Sequence, residues 1–251
     1  MLTSSEVWYG MKNDEEQELE KIDKILLRRI LEAPDSACIE SLYLELGLIP
    51  LHIILKARRI NYLHYLTNLS KNEMLYKVFM AQWRYPVKDD WTLKVKQNLE
   101  DFGFSQNLEN IKIQSANSFK RSVKKRAREY ALNYLLDKKE GHKKLDSLTY
   151  NELKLQNYLK NPDIPVAEAK NLFRFRTRSA KFKENMKKGY QSSCCPFCLI
   201  HPDSQIHSLK CIEVKSKISV RGNYEDIFKK TIPKEISETL MQISELRKEL
   251  I

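Results

Sequence analysis

The chain has 251 residues, enough to bury a hydrophobic core in one or two domains. Lys and Arg number 44 against 33 acidic residues, and the net charge of +11 favours a polyanionic partner without establishing one. No run of about 18 apolar residues occurs, so the sequence predicts no membrane-spanning helix.

The spacing of apolar residues predicts a mostly α protein. Asp14 begins a helix in which five apolar residues at helical spacing should face the core, namely Leu19, Ile22, Ile25, Leu26 and Ile30. Further helices are predicted from Ser36 to Leu46, from Leu51 to Leu69, from Asn72 to Arg84 and over residues 89–102. Gly47 and Gly103 are expected to end two of them.

The chain then becomes strongly basic. Residues 112–130 hold seven basic residues against Glu129, a net charge of +6 on one predicted helix that continues to about Gly141. Side chains of one sign suit phosphate contacts, which we predict from Lys120, Arg121, Lys124, Lys125, Arg126 and Arg128. A merely solvated surface is the alternative. The segment Lys124 to Arg128 also fits a nuclear localisation signal.

A second basic stretch follows a predicted polar helix at 142–161 and a break at Asn161 to Pro165. Residues 170–188 form a predicted helix with eight basic residues against Glu184, a net charge of +7, interleaved with Phe173, Phe175 and Phe182. Basic side chains hold phosphates while aromatic rings stack on unpaired bases, so this mixture suits single strands. The predicted contacts are Arg174, Arg176, Arg178, Lys181 and Lys183. Alternatively, the phenylalanines dock the helix on the core.

The strongest motif is a set of metal ligands. Cys195, Cys198, His207 and Cys211 stand in the order C-x2-C-x8-H-x3-C. Two thiolates two residues apart form a chelating turn, while a His and a Cys four apart lie on one face of a helical turn. Three sulfurs and one nitrogen suit zinc, so we predict one zinc ion here. Cys194 in place of Cys195, and His201 in place of His207, are the second choices.

The clustering of the cysteines and the C-terminal residues give the remaining predictions. Four of the five cysteines cluster, which is typical of a metal site in a reducing, intracellular compartment rather than of a disulfide framework. Residues 214–220 alternate between apolar and polar and predict a short strand. A last helix is predicted from Pro233 to Leu250, with Ile236, Leu240, Ile243 and Leu246 on one stripe.

The sequence offers no complete catalytic set. Asp89 and Asp90 are typical of a helix N-terminus, whereas a polymerase pair sits on a hairpin and needs a third carboxylate to bind two metals. Asp163 with Glu168-x-Lys170 has the residue types of a nuclease, but four intervening residues are too few for its two strands. We therefore expect no templated primer extension from this chain alone.

Several of these segments together resemble a known family. Met1 to Gly10 with the acidic helix after it, LYLELGLIP at Leu42 to Pro50, and KARRINYLHYL at Lys56 to Leu66 resemble the region after the palm of a non-LTR (LINE-type) retrotransposon reverse transcriptase. The CCHC motif and the tail RGNYEDIF at Arg221 to Phe228 are similar to the C-terminal end of such polyproteins. The family's aromatic-x-Asp-Asp polymerase motif has no counterpart here.

The resemblance implies an architecture and a function. It implies a thumb-like helical bundle over 1–103, a basic helical linker over 104–161, a basic and aromatic helix with the CCHC zinc module over 162–215, and a tail over 216–251. The expected partner is RNA or DNA, single-stranded or as an RNA–DNA hybrid, bound by a fragment without catalytic residues, in the nucleus. The alternative is a helical protein-interaction scaffold whose zinc site is purely structural.

Overall fold

The structure of the protein is a computed structural model, which describes residues 5, 13–88, 90–142, 145–185, 194–229 and 231–250, apart from the side chains of residues 13–16. This part of the chain is built from α-helices and two short 3-10 helices, and its only β-type pairing is a bridge between Cys194 and Pro202. The predicted mostly α class is therefore confirmed. Among the described helices, none has the length and apolar character needed to cross a membrane.

Twelve α-helices follow one another in the described residues. In chain order they are α1 (Asn13–Leu31), α2 (Ile39–Leu46), α3 (Leu51–Thr67), α4 (Met74–Arg84), α5 (Trp91–Asp101), α6 (Leu108–Lys112), α7 (Ala116–Glu140), α8 (Asn157–Lys160), α9 (Val166–Arg176), α10 (Gln205–Lys210), α11 (Ile212–Lys217) and α12 (Lys234–Lys248). The chain divides into two compact units, Met1–Lys24 with Ile49–Tyr134, and Ile25–Leu48 with Leu135–Ile251.

In the first unit, helix α3 packs against α4, α5 and α6. Its residues Ile53, Ile60 and Leu63 are completely buried, because they recur at helical spacing on the face turned to these neighbours. Helix α7 supplies a buried stripe at every fourth position, consisting of Phe119, Val123, Ala127 and Ala131. This stripe fixes which face of α7 points to solvent.

In the second unit, helix α9 packs mainly against α12. Leu172, Phe173 and Phe175 of α9 are completely buried, as are Ile236, Leu240 and Ile243 of α12. Three of the four residues predicted to form the stripe on α12 are thus in the core, and Leu246 is partly exposed. Burial of large apolar side chains at this spacing is the main source of stability for a helix pair.

The predicted helix ends agree well with the structure. Gly47 and Gly103 both have left-handed backbone angles, with φ of 64° and 66°, directly after α2 and just after α5. A side chain at Gly47 would be strained by the left-handed backbone, and it would also clash, since an added Cβ would lie 2.1 Å from the Lys154 carbonyl carbon. Helix α7 ends at Glu140, immediately before Gly141.

The apolar stripe predicted on α1 does not face the core. Ile22, Ile25, Leu26 and Ile30 are 44 to 54% exposed, whereas Leu27 and Leu31, which lie on another side of the helix, are buried. Helix α1 carries apolar residues on more than one face. Periodicity alone therefore could not select the face that packs.

Two further segments differ from their predicted secondary structure. Over the described residues 145–156, turns and irregular backbone replace the helix predicted at 142–161 and lead into the short helix α8, and Leu145, Leu148 and Leu153 are buried. The predicted strand at 214–220 begins instead as helix α11, in which Val214 is fully buried. Val214 and Ile218 are four residues apart, a spacing that also fits a helical turn, and the Ile218 amide donates to the Val214 carbonyl at 3.0 Å.

The predicted long helix at 170–188 is shorter and starts earlier. Helix α9 ends at Arg176, and Arg178 adopts a left-handed conformation with φ of 48°, which turns the chain away from the helix axis.

The two compact units also differ from the predicted segment boundaries, because residues 25–48 belong with the C-terminal unit. The predictions for Asp89, Lys187 and Lys188 concern positions outside the described residues.

Candidate metal centre and basic surface

The structure brings the four predicted metal ligands together. Donor atoms of Cys195, Cys198, His207 and Cys211 all lie within 4.8 Å of one another. The Cys198 Sγ and His207 Nε2 atoms are 3.3 Å apart, close to the roughly 3.5 Å expected between a sulfur and a nitrogen ligand on a tetrahedral zinc ion. Cys195 and Cys211 are buried, while Cys198 and His207 are partly exposed. These four residues can hold a metal ion.

Local backbone structure positions these ligands. The Cys195 amide donates to the His201 carbonyl at 2.7 Å and closes the turn that carries both N-terminal thiols. The Ser204 hydroxyl caps helix α10 by accepting from the His207 amide at 3.0 Å. This hydrogen bond fixes the helical turn that carries His207 and leads to Cys211. Cys194 and His201 are outside the group of ligands, which favours the first choice of ligand set from the sequence.

The electrostatic environment differs between the two N-terminal thiols. Burial raises the pKa of the Cys195 thiol to about 11. Hydrogen bonds from the His201 and Ile200 backbone amides instead lower the pKa of the Cys198 thiol. Burial also lowers the pKa of His207, which favours the neutral imidazole that a metal requires. Metal binding at this centre therefore has to release a proton from Cys195.

A buried ion pair connects the ligand loop to the rest of the second unit. Arg247 of α12 donates to both carboxylate oxygens of Asp203, at 2.7 and 2.8 Å, and both side chains are at most 8% exposed. The same guanidinium donates to the Lys181 carbonyl at 2.8 Å and lies 4.1 Å from the centroid of the Phe182 ring. A two-point Arg–carboxylate bond fixes orientation as well as distance.

Two more hydrogen bonds hold the same loop. The Gln205 amide donates to Glu184 Oε1 at 2.6 Å, and the Tyr224 hydroxyl donates to Gln205 Oε1 at 2.9 Å. The ligand loop is thus part of the core of the second unit and not a separate finger. Sequence reasoning missed Asp203 and Arg247, because no local pattern marks two charged residues that are 44 positions apart as partners.

The first predicted basic stretch forms an exposed face on α7. Lys120, Arg121, Lys124, Lys125 and Arg128 are exposed and lie outside the buried stripe, with Arg121 and Lys125 opposite it and the other three along one edge of it. Glu129 is the acidic residue of this stretch, and it lies 3.8 Å from Lys125 as a weak surface pair. Arg126 is different, because it donates to the Phe102 and Gly103 carbonyls and lies 4.3 Å from the Phe104 ring centroid. Its main role in the structure is to attach α7 to the end of α5.

The second predicted basic stretch does not form a comparable face. Arg176 is 6% exposed and pairs with Glu45, with its Nη2 atom 3.0 Å from Oε1. Arg174 donates to the Glu32 carbonyl at 3.0 Å, and Lys183 donates to the Cys194 carbonyl at 3.2 Å. The prediction that Arg176 contacts nucleic acid is therefore wrong in this structure, because a completely buried carboxylate neutralises its charge. Arg178 is partly exposed and Lys181 is exposed.

The aromatic residues of this stretch are also internal. Phe173, Phe175 and Phe182 are at most 1% exposed, and Phe175 and Phe182 pack edge to face at 5.5 Å. The prediction that these rings stack on bases is wrong, and the alternative that they dock the helix on the core is correct. A ring that is fully buried in the protein has no face to offer to a base.

Comparison with protein-family models finds no match, and comparisons with curated proteins and with solved structures find none either.

Proposed function

We propose that the protein binds nucleic acid through the exposed basic face of α7. We also propose that a zinc ion stabilises the loop that holds Cys195, Cys198, His207 and Cys211. The observation that carries the proposal is the separation of residue types on α7, where five exposed cations lie outside a buried apolar stripe. Between Lys120 and Arg128 these charges extend over about 12 Å of helix axis. A duplex of that length presents roughly seven phosphates on its two strands.

The buried stripe supports this use of the face. Phe119 and Val123 are completely buried, so α7 cannot turn its basic side inward without exposing its apolar side. The cations are therefore presented from a helix of fixed orientation. Contacts to phosphates give affinity that depends strongly on salt but carry no sequence information.

The buried phenylalanines narrow the expected ligand. They remove the argument for base stacking, which was the reason to favour single strands over duplexes. We accordingly propose phosphate contacts to RNA, DNA or an RNA–DNA hybrid, with no chemistry on the nucleic acid.

Zinc is the proposed metal because of the donor set. Three thiolates and one imidazole suit zinc better than they suit calcium or magnesium, which prefer oxygen ligands. With four protein ligands the site has no position left for substrate, so its role is structural. A derivation from a non-LTR reverse transcriptase belongs to the same proposal, on the strength of the resemblance at Leu42 to Pro50 and Lys56 to Leu66. An upstream reading frame with an aromatic-x-Asp-Asp motif would test it.

The test compares two variants with the same change in net charge. The α7 variant replaces Lys120, Arg121, Lys124 and Lys125 by Gln. The control replaces four exposed basic residues around α4 in the same unit, Lys71, Lys77, Arg84 and Lys88, also by Gln. Binding to a labelled single strand, duplex and hybrid is measured by fluorescence anisotropy over a range of salt concentrations.

We expect the α7 variant to lose affinity and to flatten the plot of log affinity against log salt. Each lost phosphate contact should reduce the slope by about 0.7 on single strands and about 0.9 on duplex DNA. The control should retain most of the parent slope. If both variants change binding equally, only net charge matters, and if the parent shows no salt dependence the proposal is wrong.

The proposal of a nuclear location rests only on the basic residues of α7, which also fit a nuclear localisation signal. A fluorescent fusion of the chain should leave the nucleus when Lys124 and Lys125 are replaced by Gln, if they serve as an import signal. Nuclear retention of that variant would contradict this part of the proposal without affecting the binding assay.

A protein-interaction scaffold is the second candidate, and a specific observation favours it. Met74, Leu75 and Val78 on α4 are 74, 44 and 46% exposed, which gives this helix an apolar surface within the first unit. Apolar surface of this kind is typical of protein contacts. The scaffold is supported if neither the parent nor the α4 control binds nucleic acid and Val78→Glu abolishes capture of a protein partner.

A further inference from the structure

A second group of metal-ligand side chains lies in the second unit, apart from the CCHC residues. Donor atoms of Cys38, Glu40 and His142 lie within 4.8 Å of one another. The Cys38 thiol donates to Glu40 Oε2 at 2.7 Å, and His142 Nε2 lies 3.7 Å from the same oxygen. A sulfur, an oxygen and a nitrogen donor thus converge although Glu40 and His142 are 102 positions apart in the sequence.

The backbone around Cys38 and Glu40 is held in place. Cys38 is the N-terminal cap residue of α2, and its carbonyl accepts from the Ser41 hydroxyl at 2.6 Å. The preceding residue is fixed as well, since Arg28 donates to the Ala37 carbonyl at 3.1 Å. Glu40 follows in the first turn of α2, and its side chain is 16% exposed. Two of the three donors therefore come from one rigid helix start.

His142 is also fixed from both sides. Its amide donates to the Lys139 carbonyl at 2.7 Å, which closes the end of α7, and its carbonyl accepts from the Leu145 amide at 2.8 Å. The side chain is 48% exposed, so water reaches the imidazole. Ligands on a pre-organised backbone lose less conformational entropy when a metal binds.

The distances are compatible with a metal after a small adjustment. Nitrogen and oxygen ligands of one tetrahedral zinc ion lie about 3.3 Å apart, near the observed His142–Glu40 separation. The Cys38–Glu40 pair is at hydrogen-bond length and has to open by under about 1 Å, which a side-chain rotation at either residue supplies. Burial, and then the neighbouring Glu40, raise the pKa of the Cys38 thiol to about 12, so a metal that binds here has to displace the thiol proton to solvent.

We propose that Cys38, Glu40 and His142 form a second transition-metal site of the zinc class, with a fourth position open to water. Mixed sulfur, nitrogen and oxygen ligands suit Zn²⁺ or Co²⁺ and do not suit Ca²⁺ or Mg²⁺. Three protein ligands with one solvent position distinguish this site from the closed CCHC site. A ligand with a free anionic oxygen can bind the metal at that position.

The experiment measures metal stoichiometry on the full chain. The protein is dialysed against buffered Zn²⁺ and its zinc content is determined by elemental analysis. The parent is expected to hold two zinc ions, and His142→Ala and Glu40→Gln one. Cys211→Ser is expected to lose the other ion and keep one. His201→Ala is the matched control, since it removes an exposed histidine that belongs to neither group and should keep two.

Titration with Co²⁺ gives a second readout that distinguishes the two sites by their sulfur count. The thiolate-to-cobalt absorption scales with the number of bound thiolates, and the proposed site contributes one of four. His142→Ala should therefore lose about a quarter of this absorption and keep the bands of the CCHC site. Because His142 is half-exposed, this variant should fold even if a substitution at Cys38 does not.

The proposal is overturned if the parent holds a single zinc ion while Cys211→Ser holds none. It is equally overturned if His142→Ala and Glu40→Gln retain two ions and the full cobalt absorption. Neither outcome bears on the binding of nucleic acid by α7, so this inference and the proposed function fail separately.

Discussion

The buried ion pair between Arg176 and Glu45 gives the sharpest prediction about stability. Glu45 is 0% exposed, and its Oε1 atom accepts from Arg176 Nε at 3.1 Å and from the Tyr150 hydroxyl at 2.8 Å. Arg176 also donates to the Ile227 carbonyl, and its guanidinium lies 5.1 Å from the Tyr158 ring centroid. Burial alone would lower the pKa of Arg176, but the adjacent Glu45 and the two tyrosines outweigh this effect and raise it.

Replacing Arg176 by Met removes the positive charge and keeps most of the volume. Glu45 then becomes a buried carboxylate without a cation, which costs about 3 to 5 kcal/mol. The double variant Glu45→Gln with Arg176→Met carries no buried charge, and the new amide still accepts from Tyr150. We therefore expect the double variant to recover most of the lost free energy and to remain about 1 to 2 kcal/mol below the parent.

The free energy of unfolding is measured by urea titration, followed by circular dichroism. Lys181→Met is the matched control, since Lys181 is an exposed cation of the same stretch and should change stability by less than about 0.5 kcal/mol. A cost below about 1 kcal/mol for Arg176→Met, or a double variant no more stable than the single one, would refute the reasoning. Because Arg176 is buried, its loss should also leave the salt slope of nucleic-acid binding unchanged in protein that is still folded.

Three further predictions follow from the second unit. Gly47→Ala should cost more than the roughly 1 kcal/mol of a left-handed alanine in a urea titration, because its Cβ also meets the Lys154 backbone. Cys211→Ser should lower the zinc content by one ion per chain and Cys194→Ser should not, which elemental analysis decides, and the reverse result would reassign the ligands. Backbone hydrogen bonding at Asn223 lowers the pKa of Asp226 below its ordinary 3.8, so Asp226 contributes stability above that pH and loses it as the pH falls through the lowered value. The stability deficit of Asp226→Asn should accordingly be present at pH 7 and shrink below about pH 3.8, and a deficit independent of pH would contradict this.

The features that the sequence determined by itself are local ones. The four CCHC residues lie within 17 residues, and each pair is set by a single turn, so spacing predicted as first choice the group that the structure brings together. The helix ends at Gly47 and Gly103 depend on the backbone angles of one residue. The basic face of α7 is also a local feature, because the buried residues and the cations both recur at helical spacing within the same helix.

The second basic stretch shows where local patterns are insufficient. Its charge and its aromatic residues predicted a surface for single strands, but Phe173 and Phe175 are in the core and Arg176 pairs with a residue 131 positions away. An arginine that meets a phosphate and one that meets a buried carboxylate have the same local sequence. Only the partner brought by the fold distinguishes them.

The same limit applies to α1 and to the three-ligand cluster. Apolar residues on α1 point in more than one direction, and only the packing of the chain selects Leu27 and Leu31 for burial. Cys38 and His142 carried no signal in the sequence, because 104 positions separate them and neither has a ligand at a recognised spacing. Backbone conformation is decided by interactions between near neighbours, whereas burial and the pairing of charges are decided by contacts between distant segments, which only the tertiary structure brings together.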